Sequence, residues 1–182
     1  MTGPTSTPPP EDYRLLVPRD WFRIDLTLDR WRPQLKTFVD RQTAGRPLSA
    51  EARHELWATL RNTAESGVAR GALELFLRAE AQTATPATLL VSLLPTRGAL
   101  NAPPEEFAAA LAARRGDGAD VTVVTLPAGD AVRVTTATTL DLYVRVPGDA
   151  GYLLLAFTVP LSGVESPMGE LCEAIGGSLR WV

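Results

Sequence analysis

The run Tyr152-Leu-Leu-Leu-Ala-Phe-Thr-Val-Pro160 constrains the fold more than any other stretch of this chain. It has the length of a strand and is apolar on both faces that a strand presents, so both must be shielded from water. A sheet with layers above and below is implied. The run breaks at Ser162-Gly163 and continues into Ser166-Pro-Met-Gly-Glu-Leu-Cys-Glu-Ala-Ile-Gly-Gly-Ser-Leu-Arg-Trp181. This second stretch predicts an amphipathic helix that closes the chain. Ser166 caps it, Pro167 opens its first turn, and Met168, Leu171, Cys172, Ile175 and Leu179 turn inward. Gly176 and Gly177 fall inside it, where glycine weakens a helix but permits close approach to a sheet.

Earlier segments supply the remaining layers. Tyr13–Val17 and Trp21–Thr27 read as short strands separated by Pro18, and in the second Phe22, Ile24 and Leu26 share one face against Arg23 and Asp25. Asp29 can cap a helix whose stripe is Trp31, Leu35, Phe38, Val39 and Gln42. Ser49 caps another, to about Ser66, with Ala52, Leu56, Trp57, Leu60 and Ala64 inward. Ala72–Ala79 fits a strand through Leu73, Leu75 and Leu77 and also a helix through Leu73, Phe76 and Leu77. Gly67 and Gly71 before it, and the apolar run after it, favour the strand. Ala87–Leu94 is a second candidate central strand. Pro103-Pro-Glu-Glu106 opens a helix to Arg115, its carboxylates and arginines each complementing the macrodipole, with Phe107, Ala110 and Leu111 inward.

Two hairpins follow, 121–126 with 131–136 and 140–146 with the apolar run. Leu140, Leu142, Val144 and Val146 line one face of the third of these strands, while Asp141, Tyr143 and Arg145 line the other. This order predicts an α+β fold: a single-domain α/β/α sandwich over residues 12–182, with a mostly antiparallel central sheet and helices on both faces. Residues 1–11, rich in proline and threonine, predict a disordered tail.

Chemistry is harder to find. A formal charge of −3 and a pI near 5.2 carry no footprint for nucleic acid. No apolar window reaches bilayer length, and the start lacks the basic residues and apolar core of a signal peptide, so a cytoplasmic protein without membrane association is expected. Cys172 is the only cysteine, which excludes an intrachain disulfide, and it reads as a small buried hydrophobe. His54, the only histidine, lies on the polar side of a helix. His54-Glu55-Leu56-Trp57-Ala58 begins like a metalloprotease helix but has alanine where the second zinc ligand belongs. Lys36 lies mid-helix, far from any phosphate-binding loop, and Asp117 and Asp120 lack the ligand spacing of a calcium loop. No catalytic residue, metal site or cofactor is assigned.

The element order, above all the apolar strand followed by Ile175-Gly-Gly-Ser-Leu-Arg-Trp181, resembles the PsbP-like superfamily, in particular its actinobacterial branch of LpqN-type proteins. The resemblance covers about Asp12 to Val182. It implies a central antiparallel sheet between helices and a domain that acts by binding partners. It brings no catalytic motif, and the chain has no lipobox cysteine near its start.

The expected function is therefore a non-catalytic protein-interaction module, binding a protein partner or a second copy of itself through an exposed face with aromatics and arginines. Aromatic and arginine side chains are the usual anchors of interfaces. Trp21 with Arg23, and Tyr143 with Arg145, are the candidate residues, since each pair shares a strand face opposite an apolar set. A small-molecule or lipid carrier, with an apolar pocket between sheet and helices, is the alternative.

Overall fold

The computed structural model describes residues 8–80, 83–95 and 97–182. The apolar run forms β8 (Tyr152–Thr158), and its neighbours explain its character. It lies between β4 (Ala87–Leu94) and β7 (Thr139–Arg145), paired antiparallel to both. The other strands are β2 (Phe22–Asp25), β3 (Ala72–Arg78), β5 (Asp120–Leu126) and β6 (Gly129–Thr135). They complete a seven-stranded sheet of order β2-β3-β4-β8-β7-β6-β5. Every strand pairing among the described residues is antiparallel.

The sheet is two meanders, β2-β3-β4 and β5-β6-β7-β8, joined along one seam from Thr88 opposite Thr158 to Leu94 opposite Tyr152. Ala72–Arg78 is a strand because both flanking strands pair with it, which overrides the helix-forming preference of Leu, Glu and Ala.

Both faces are covered. On one, Leu89, Val91, Leu142, Val144, Leu153, Leu155 and Phe157 pack with Cys172 and Ile175 of α4 (Pro167–Gly177). On the other, α1 (Trp31–Thr43) and α2 (Ala50–Val68) cover Ile24, Leu75 and Leu77, while α3 (Pro104–Arg115) covers Val132, Val134, Tyr143 and Tyr152 through Phe107 and Leu111. Leu155 on the α4 face and Tyr152 on the α3 face are both 0% exposed, as a strand shielded on both sides requires. The architecture is the α+β sandwich that the apolar patterns predict.

Three local details differ from expectation. Asp29 does not cap α1; the cap position is Arg30, with no side-chain hydrogen bond. The closing helix ends at Gly177 rather than near Trp181, because two glycines and a serine that bonds back to the Ile175 carbonyl stop it there. The freed residues Arg180–Trp181 form β9, which pairs with β1 (Tyr13–Arg14) in a separate two-stranded sheet. Finally, Glu11, at the end of the expected tail, donates its backbone N–H to the Val182 carbonyl. Residues 1–7 of that tail lie outside the described residues.

Gly176 does permit the close approach expected of it. A Cβ there would lie 2.3 Å from Leu142 Cδ1, inside the sheet that α4 covers.

Candidate functional site

Beyond β1 the chain crosses the α4 side of the sheet toward β2, and a groove of about 620 Å³ opens between this strap and the sheet. Residues 12–17 form one wall, while Arg23, Asp25 and Thr27 form the other, with Leu73 and Phe76 at the floor. Leu15 and Val17 pack on the core, whereas Leu16, between them, is 76% exposed. Its backbone N–H is held by the Ser178 hydroxyl at 2.9 Å, which fixes the protruding side chain on the rim.

The polar centre of the groove is Glu74. A register shift between Ala72 and Glu74 marks a bulge in β3, the kind of irregularity that re-aims a side chain. The Tyr13 hydroxyl donates to Glu74 Oε2 at 2.5 Å, and Arg23 Nε donates to Oε1 at 2.5 Å. Glu74 is nearly buried beneath Arg23, whose side chain is 64% exposed. Burial, reinforced by the hydrogen bond to Glu74 and its charge, raises the Tyr13 pKa above that of a free phenol. Tyr13 thus remains a donor. Asp25 is held below the ordinary carboxylate range by the hydroxyl and backbone N–H of Thr27. Each acidic group in the groove is already engaged by a donor from the same chain. The arrangement offers the exposed Arg23 head, an anionic Asp25 and an apolar rim: a surface for recognition.

The four residues singled out in the sequence do not share a surface. Arg23 alone stands in the open, at this groove. Trp21 is 5% exposed, packed in the core on the α4 side of the sheet. Its face is indeed opposite Phe22 and Ile24, but that face is covered rather than wet. Tyr143 is 7% exposed because α3 lies over its face of β7: Phe107 meets the ring edge-on at 5.2 Å. Arg115 donates both to the Tyr143 hydroxyl, at 3.3 Å, and to Asp141, at 3.1 Å. Burial raises the pKa of Asp141, a rise that the Arg115 charge opposes. Arg145 serves as a clamp: it donates to the Ala102 carbonyl at 2.6 Å and to Asp149 at 2.8 Å, with its guanidinium 5.2 Å from the Tyr152 ring centre. It fastens the segment that leads into α3.

Tyr13, Glu74 and Leu16 are the groove residues that sequence reasoning missed. Tyr13 and Glu74 meet across 61 positions, and the bulge beside Glu74 turns Leu73 to the same face. His54 is exposed on α2 beside Trp57, as its helical position suggests. Among the described residues, no three His, Cys, Asp or Glu side chains are grouped to hold a metal ion, and no helix is long and apolar enough to cross a membrane. The chain matches no protein-family model, no curated protein and no solved structure.

Proposed function

We propose that this domain is a non-catalytic protein-interaction module, acting in the cytoplasm, that holds an extended segment of a partner protein in the strap groove. The observation carrying this reading is the groove's composition. It combines a protruding leucine, an exposed arginine and a floor of Leu73 and Phe76 beside β2, the terminal strand of the sheet. Its carboxylates are engaged by internal donors, so the groove favours holding a ligand over proton transfer. The PsbP-like resemblance, which implies a partner-binding domain, supports the same reading. The carrier alternative needs space between sheet and helices, where Leu35, Leu75, Leu89, Leu140 and Ile175 are 0–2% exposed. That packing favours the interaction module.

The test compares capture from lysate of the source organism by the wild-type domain and by a Leu16→Asp, Arg23→Glu double variant. A partner retained by the wild type and lost by the folded variant supports the groove. Equal capture by both removes it.

A further inference from the structure

The opposite edge of the sheet carries a second surface. β5 is seven residues long, runs in unbroken register with β6, and ends the sheet, with no strand beyond it among the described residues. Its sequence, Asp120-Val-Thr-Val-Val-Thr-Leu126, contains neither lysine nor proline, and Asp120 at its start is its one charge. A long edge with a single terminal charge presents free N–H and C=O groups to any extended chain, and proteins ordinarily blunt such edges or cover them. Val123, at its midpoint, lies opposite Val132 on the face that α3 covers, yet remains 38% exposed.

The helix beside this edge says what covers it. Arg115 turns toward β7 through its bonds to Asp141 and Tyr143, which defines the inner flank of α3. Glu106, Ala110 and Arg114 follow one another at four-residue spacing and therefore form a single row. At 100° per residue that row lies on the other flank, toward the β5 edge. Among the described residues neither Glu106 nor Arg114 belongs to an ion pair. The row reads acid, alanine, base, and it is complementary to itself when reversed.

We propose that two copies of this chain associate about a two-fold axis through Val123, with β5 pairing antiparallel to the β5 of the mate and Glu106 facing the mate's Arg114. The geometry is consistent in three ways. Val123 is the midpoint of β5 and Ala110 the midpoint of the charged row, so one axis serves both. Ala110 lies about 9 Å along α3 from Gly116, and Val123 about 10 Å along β5 from Asp120, at rises of about 1.5 and 3.3 Å per residue. The 3-10 turn Gly116–Gly118 folds the helix back on the strand, so the two midpoints stand at one level. Third, α3 packs on both β5 and β6. With strands about 4.8 Å apart, a helix seated between them lies about 5 Å from the axis. The paired α3 helices would then be about 10 Å apart, within the usual range for packed helices. Ala110 between them leaves room. The result is a continuous fourteen-stranded sheet, with the strap grooves at its two far ends.

Light scattering and sedimentation equilibrium on the full chain test the proposal. The wild type is expected to be a dimer. Val123→Lys, which sets two ammonium groups against each other on the axis, is expected to be a monomer with an unchanged far-ultraviolet spectrum. Glu106→Arg alone and Arg114→Glu alone should each weaken the dimer by roughly tenfold, since each places like charges across the axis. The double variant Glu106→Arg, Arg114→Glu restores complementarity and should recover the dimer. A wild type that stays monomeric at high concentration overturns the proposal. So does a dimer indifferent to Val123→Lys, or single reversals that the double variant fails to rescue.

Discussion

The two edges of the sheet are handled in opposite ways. At β2 the strand is only four residues long, carries Arg23 and Asp25 on its strap side, and is fastened to β3 by the Arg23–Glu74 pair. The strap from residues 12 to 17 runs close by, held at Tyr13 by the same glutamate. At β5 the strand is nearly twice as long, with one charge at its start and, among the described residues, no strap. One edge is guarded from within its own chain, and among the described residues the other has no such guard. Short, charged and strapped edges resist pairing, and long plain ones invite it. The proposed dimer joins at the edge that lacks such protection.

That contrast can be broken or sharpened by substitution. The largest effect is expected in the seam shared by both edges. Phe157 is fully buried and pairs with Leu89 and Leu140 across β8. Phe157→Ala should cost about 3–5 kcal/mol in urea unfolding, and both halves of the sheet should unfold together. Separate transitions for the halves would show that the edges belong to independent units.

Cys172, on the inner face of α4 over the same seam, reports whether either edge lets the core open. Burial pushes its thiol up to about 12 from an ordinary 9.0. Native protein should therefore react with a thiol reagent near neutral pH at least about a hundredfold more slowly than unfolded protein. The thiolate is the disfavoured form in the fold, so stability should fall as pH rises from about 9 toward 12. Cys172→Ala should remove that part of the alkaline decline. Rapid labelling of the native state would mean that the guarded side of the sheet opens readily.

At the strapped edge, Glu74→Ala leaves Tyr13 and Arg23 without their acceptor and should cost about 1–3 kcal/mol. A loss of less than about 0.5 kcal/mol would show that the strap is held by Leu15 and Val17 alone. The smallest effect belongs to the open edge. Val123→Thr should change unfolding free energy by no more than about 0.5 kcal/mol when measured at high dilution. A larger loss there would make β5 a structural strand like any other.

How far the fold could be read follows from the range of each signal. The apolar runs at 87–94 and 152–158 and the stripes of α1 and α2 are local patterns, and each became the element it predicts. What those patterns omit is which neighbour covers which face. Asp141, Tyr143 and Arg145 alternate with leucine and valine as a wet face would, yet α3 lies over them. Tyrosine and arginine can bury their apolar stems while keeping polar ends partnered, so their presence does not mark a surface. Trp21 sits on the face opposite Ile24 and is buried there by segments far away in the chain. The groove was the least legible part. It depends on a one-residue bulge beside Leu73 and on a glutamate that meets a tyrosine 61 residues earlier. Neither leaves a periodic trace.

The small ladder of β1 and β9 has a consequence of its own. Asp12 and Val182 exchange backbone hydrogen bonds, with Val182 donating at 2.9 Å and Asp12 donating at 3.3 Å. Positions 170 residues apart in the polypeptide thus stand side by side. A short covalent link between them would turn the domain into a ring without disturbing its layers, and new ends could be cut at the exposed corner of Gly148 and Asp149. The physical order of the strands, rather than the order of synthesis, would then be what identifies this molecule.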